Sequence, residues 1–185
     1  RLTENCELFS EIKTDSLFLY TRLLDVYPTQ TRYLFLVPSL AVGGGLKVVR
    51  NYLSVLLTKY PPEQITVVVT DYKADKINPL TELGLNIVPF VNMFPGMKEN
   101  TKLLILLRLI MQQKPYAVHL INSEAGYKLF NKYSQYLATV SKLYLTHFVP
   151  NYTVEGKRVG HMLEYLPEFY EQLTAVSTDN PSVVE

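Results

Sequence analysis

The chain has 185 residues, 48% of them hydrophobic, with 18 basic and 17 acidic side chains and a formal net charge of +1. At roughly 150 residues per domain this is one sizeable packed domain, and the composition fits neither a disordered chain nor a nucleic-acid-binding surface. Cys6 is the only cysteine, which excludes an internal disulfide and favours a reducing, intracellular home.

Residues 1–31 read as a helical arm packed on the outside of the core. Ser16 to Val26 is its helical part: Leu17, Tyr20, Leu23 and Leu24 share a face, Asp15 or Ser16 can cap it, and Pro28 stops it. The chain begins with Arg1 rather than Met, as a trimmed or processed product would. From Tyr33 strands and helices alternate. Tyr33 to Val37 predicts a buried strand, Pro38 to Val42 a loop closed by Gly43, Gly44 and Gly45, and then a helix with Leu46, Val49, Leu53, Leu56 and Leu57 on one face. Pro61 and Pro62 end that helical region. Ile65 to Thr70 is rich in β-branched residues and predicts a second strand. A polar connection follows from Asp71 to Gly84, with a short helix near Pro79 to Leu83, and Leu85 to Phe90 predicts a third strand.

After a turn at Phe94, Pro95 and Gly96, a helix is predicted from Glu99 to Gln113. Its apolar run, Leu103 to Leu107 and then Leu109 to Met111 beyond Arg108, is shorter than the roughly 18 apolar residues of a membrane span and reads as a buried helix. Lys114 and Pro115 break it. Tyr116 to Ile121 predicts the fourth strand, Asn122, Ser123 and Glu124 a cap with a helix to about Tyr136, and Lys142 to Phe148 the fifth strand. Val149 to Leu166 is a long connection, Leu173 to Ser177 a sixth strand, and Asp179, Asn180 and Pro181 the start of a further helix. The sequence stops at Glu185, four residues into that helix, as a chain cut at a domain boundary would.

This alternation defines an α/β domain over residues 32–185: a Rossmann-like parallel sheet with helices on both faces. Ligands then sit at the carboxyl ends of the strands, here Ser39 to Gly45, Thr70 and Asp71, Phe90 to Asn92, Asn122 to Glu124, His147 and Phe148, and Thr178 to Asn180. The glycines let a backbone approach a ligand and take φ > 0, and the helix N-terminus behind them favours anions; the alternative is a tight turn that only spaces strand from helix. A dinucleotide fingerprint aligned on Gly43 and Gly45 meets Val48 in place of its third glycine, although Asp71 ends the second strand as a ribose-binding acid would. No P-loop exists, since Gly45 is followed by Leu46 and Lys47 by Val48. His119, His147 and His161 have no metal-ligand spacing. His119, mid-strand, reads as core; His147 closes a strand where it can face the cleft and donate a hydrogen bond or move a proton. Glu124 is either a first-turn acid complementing the helix dipole or a ligand group, and Asn122 and Ser123 are caps or ligand groups. The long connection, with Lys157, Arg158, Gly160, His161 and Tyr165, has the length of a functional loop.

The segments "FLVPSLAVGGGLKVVRNYLSVL", "ITVVVTD", "YAVHLINSEAGYKLF", "SKLYLTHF" and "LTAVSTDNPSVVE", taken in that order, resemble the N-terminal half of retaining glycosyltransferases of the GT-B fold, family 4 type. The resemblance implies an enzyme that moves a sugar from a nucleotide-sugar to a glycan or lipid-linked acceptor, with retention and without a metal or other cofactor. This half would be the acceptor side. The donor domain, with its Glu-x7-Glu motif, is absent from this chain, so the isolated domain is expected to be inactive. By the same resemblance His147 is the catalytic contact to the transferred sugar and the Gly43, Gly44, Gly45 loop, with Lys47 opening the next helix, approaches the substrates; Asn122, Ser123 and Glu124 at the fourth strand's end and Tyr165 in the long connection are further substrate-binding candidates. A cytoplasmic site at the inner face of the membrane, with peripheral contact and no nucleic-acid partner, follows as an expectation. A non-catalytic Rossmann-like binding module and a nicotinamide enzyme domain are the competing readings.

Overall fold

β-Branched and leucine-rich runs form the sheet at the centre of the computed structural model, which describes residues 14–27, 31–72, 80–148 and 151–178. Strands β1 (Tyr33–Val37), β2 (Ile65–Val69), β3 (Asn86–Val88), β4 (Ala117–Ile121) and β5 (Lys142–His147) come first. The short β6 (Asn151–Tyr152) and β7 (Arg158–Val159) and then β8 (Ala175–Thr178) follow. Six strands make one sheet in the order β3-β2-β1-β4-β5-β8, parallel at every pairing; β6 and β7 form a separate antiparallel hairpin. All five residues of β2 are buried, as a strand covered on both faces requires.

The helices are α1 (Thr14–Val26), α2 (Gly44–Leu57), the single turn α3 (Phe90–Met93), α4 (Glu99–Gln113), α5 (Glu124–Leu137) and α6 (His161–Phe169). Alternate strand residues feed two cores. Leu34, Leu36, Val118 and Leu120 pack with α4, α5 and Phe169 of α6, together with Tyr20 and Leu23 of α1. Phe35, Val37, Val67 and Val69 pack on the other face with Leu46, Val49 and Leu53 of α2. The arm is tied to α4 as well: Tyr20 donates its hydroxyl proton to Gln112 Oε1 at 2.6 Å, and Arg108 lies 4.7 Å over the Tyr20 ring. α5 sits unusually close to β4, because Gly126 is the residue at the contact; a Cβ there would collide with Leu120 Cδ1. Among the described residues no helix is long and apolar enough to cross a membrane.

Several expected boundaries move. Phe90 opens α3 instead of ending β3, and its ring is buried against Phe94 at 4.7 Å. Lys114 ends α4 in the left-handed conformation at φ 48°, donating its N–H to Ile110 O at 2.8 Å, so the break expected there is a C-cap. Asp15 and Ser16, the expected caps, fall inside α1, which is described from Thr14. The long connection is not a loop: it folds into the β6–β7 hairpin and then α6, whose first turn begins after Gly160 at φ 141°. The cap expected at residues 179–181 lies outside the described residues, as does Pro28. The chain runs from β1 outward to β3, then returns through α3 and α4 to β4 on the other side of β1. The crevice between the carboxyl ends of β1 and β4 is therefore the topological switch point, where an open α/β sheet admits a ligand.

Candidate functional site

A cleft of about 340 Å³ opens at that switch point, lined by Pro38 after β1, Asp71 and Tyr72 after β2, Asn122 and Glu124 after β4, and His147 at the end of β5. Its other wall is the stretch from Val159 to Leu163.

The floor is a set of backbone and hydroxyl bonds. Asp71 and Tyr72 both donate their N–H to Pro38 O, at 3.2 and 2.9 Å, so the chain leaving β2 is drawn over the end of β1. From there the Asp71 carboxylate reaches α5. Oδ2 accepts the Glu124 N–H at 2.9 Å and Oδ1 accepts the Ala125 N–H at 3.0 Å. Ser123 is the N-cap and accepts the Gly126 N–H at 2.8 Å. Thr70 donates to Val37 O at 2.9 Å, which leaves its oxygen to accept from Ser123 at 2.7 Å. The first three N–H donors of α5 are thus all used inside the protein, although a helix N-terminus at a switch point is where a phosphate would otherwise sit. Burial pushes the Asp71 carboxyl above its ordinary value, against the pull of the two amides.

The walls carry the titratable groups. Glu124 is held below its usual range first by a hydrogen bond from Lys128, whose Nζ lies 2.7 Å from Oε1, and Lys128 also bridges to Glu99. His161 Nε2 stands 3.9 Å from Glu124 Oε2. Its Nδ1 is buried and has no hydrogen-bond partner among the described residues. His147 lines the cleft but is only 5% exposed, deeper than a strand-end side chain was expected to lie. No lysine or arginine is among the described residues lining the cleft.

Of the positions expected from the sequence, His147, Asn122 and Glu124 meet in this cleft. Asn122 takes φ 50°, which turns the chain sharply out of β4. Ser123 is fully buried and spent on the cap, so it faces no ligand. Gly43, Gly44, Gly45 and Lys47 are exposed at the start of α2 and do not line the cleft. None of the three glycines is left-handed, contrary to the conformational reason for expecting them. Gly43 is extended at φ 170°, and what these glycines provide is open space, since a Cβ on Gly43 or Gly44 would meet nothing within 4 Å. Tyr165 lies on α6 outside the cleft, its ring 6.2 Å from that of His161 and 6.5 Å from that of Tyr127. His119 is a half-buried group packed on the α2 face of the sheet. Its Nε2 pairs with Thr146 Oγ1 at 2.8 Å, and the rings of Tyr52 and Phe35 surround it at 4.6 and 5.4 Å.

The sequence reading passed over Asp71 as a cap because its partners lie 53 and 54 residues away, and over His161 because its helix was read as loop. Gly160 followed by His161 was the available signal for that helix start. Among the described residues no group of three or more acidic, histidine or cysteine side chains is placed to hold a metal ion. Comparison with protein-family models, curated proteins and solved structures finds no match.

Proposed function

We propose that this chain is the acceptor-side half of a retaining glycosyltransferase of the GT-B type, and that the cleft takes an uncharged, hydroxyl-rich acceptor. The observation that carries the reading is the lining of the cleft: Asp71, Glu124, Asn122, His147 and His161, with no lysine or arginine among them. Carboxylates, an amide and imidazoles are the donor and acceptor set that sugar hydroxyls pair with. Among the described residues lining the cleft a diphosphate meets no lysine or arginine, and the α5 amides that could replace one are occupied by Asp71 and Ser123. The donor's phosphates therefore belong elsewhere, on the open glycine end of α2 or on a second domain. His147, which lines the cleft, would hydrogen-bond the reacting sugar.

Saturation-transfer NMR on this chain with neutral glycosides, set against calorimetry with UDP-, GDP- and ADP-sugars, tests the division. Glycoside signals without nucleotide-sugar affinity are expected. Tight binding of a nucleotide-sugar to this chain alone, with no glycoside contact, would overturn it.

A further inference from the structure

At the amino ends of the strands, opposite the cleft, lies a second polar cluster that the proposed chemistry does not use. Arg32 immediately precedes β1, Tyr116 immediately precedes β4, and Lys142 opens β5. The Arg32 guanidinium carbon is 5.1 Å from the ring of Tyr60 and 5.2 Å from that of Tyr116. Lys142 Nζ donates to the Tyr116 hydroxyl at 2.9 Å and lies 4.9 Å from the same ring. Tyr33 closes the group, its ring 4.9 Å from Tyr60 and 5.9 Å from Tyr116.

Among the described residues neither Arg32 nor Lys142 has a carboxylate within ion-pair distance; the groups acting on both are phenols, Tyr33, Tyr60 and Tyr116 on Arg32 and Tyr116, Tyr144 and Tyr33 on Lys142. Two cations held against one ring without an acid repel each other, and the aromatic faces offset that only in part. Tyr116 remains 44% exposed, so solvent reaches the cluster. Its hydroxyl accepts from Lys142 and keeps its own proton to donate outward.

We propose that Arg32, Lys142 and the Tyr116 hydroxyl form a binding site for a phosphomonoester dianion. A guanidinium fork, an ammonium and a phenol supply more donors than the two oxygens of a carboxylate can use, and the pair of cations matches two negative charges. A phosphomonoester has three free oxygens to offer these donors, where a carboxylate has two. A net charge of +1 over the whole chain argues against a broad polyanion surface, so recognition is local. The rings fix the cations before the ligand arrives, which lowers the ordering cost of binding. The phosphomonoester comes either from a soluble phosphorylated metabolite or from a lipid headgroup.

The test uses the whole chain. Inorganic phosphate and phenyl phosphate are titrated by calorimetry, with the tyrosine ring signals followed by NMR. Vesicles of phosphatidylcholine with and without phosphatidic acid are tested by co-sedimentation. Binding of the soluble phosphates alone identifies a soluble source, and sedimentation that requires phosphatidic acid identifies a lipid one. In either case Arg32→Gln and Lys142→Gln each weaken binding by about tenfold or more, the usual consequence of losing one charge-assisted bond. Should Arg32→Gln unfold, Lys142→Gln, exposed at the start of β5, carries the comparison, with its melting curve as the control for folding. Failure of every probe to bind, or binding unchanged in the folded variants, overturns the proposal.

Discussion

The carboxylate of Asp71, on the turn after β2, accepts the backbone N–H of Glu124 at 2.9 Å across the carboxyl end of β1. Two strands that are not neighbours are thereby joined over the strand between them, at the point where the sheet changes direction. Asp71→Ala leaves the Glu124 and Ala125 amides without their acceptor, and it is expected to cost about 1–3 kcal/mol of stability. Urea denaturation of the two proteins measures it. An unchanged midpoint would mean that water replaces the carboxylate without loss.

His147 is expected to matter to both chemistry and folding. If His147 contacts the reacting sugar as proposed, its replacement by alanine should lower glycosyl-transfer turnover by roughly ten- to a thousand-fold. Because the side chain is only 5% exposed, the same change should also lower stability, by about 1–3 kcal/mol. His147→Gln, which retains a hydrogen-bonding end, separates the two: it should recover stability more fully than turnover. Normal turnover in a folded His147→Ala enzyme would remove the assignment.

Acid should loosen the other face of the sheet through His119. Burial lowers its pKa from 6.5 to about 4, so between these values the unfolded chain binds a proton that the native protein refuses. Stability is then highest above about pH 6.5 and is lost as the pH falls toward about 4, by up to about 3 kcal/mol. His119→Phe, which fits among Phe35, Tyr52 and Tyr144, should flatten that part of the pH profile. Denaturation midpoints across this range decide the matter, and an equally steep profile in the variant would exonerate His119.

The glycine end of α2 gives a clean separation of roles. A Cβ on Gly44 meets nothing within 4 Å and the backbone there is not left-handed, so Gly44→Val should melt within about 1 kcal/mol of the parent. If the chain acts in sugar transfer as proposed and donor phosphates approach this backbone, Gly44→Val loses activity while staying folded. Full activity would place the phosphates elsewhere.

Much of the sheet could be read directly, because β-branched runs such as Ile65 to Val69 and continuous apolar runs such as Leu34 to Val37 are local signals. The helix of Leu103 to Ile110 and the cap at Ser123 were legible for the same reason: spacing and capping act within one turn. The residues that assemble the cleft were only partly legible. His147, Asn122 and Glu124 follow from strand ends, but the Asp71 cap links residues more than fifty apart, and no periodicity records such a bond. The β6–β7 hairpin has strands of two residues each, too short to leave an alternation pattern. Pro167 masked α6 as well, since proline inside a nine-residue helix reads as a break.

The cleft's two sides have separate origins in the chain. Pro38, Asp71, Asn122 and His147 stand on the ends of four different strands, and moving any of them means moving the sheet. The facing wall, Val159 to Leu163, comes from one uninterrupted excursion between β5 and β8, anchored at its far end by Phe169 against Phe130, 5.6 Å ring to ring. A single contiguous graft between the hairpin and the first turn of α6 would therefore recut the wall while leaving the sheet and the Phe169 anchor untouched. Such a swap would change the side of the cleft that carries His161 while Asp71, Asn122, Glu124 and His147 stay in place on the strand ends.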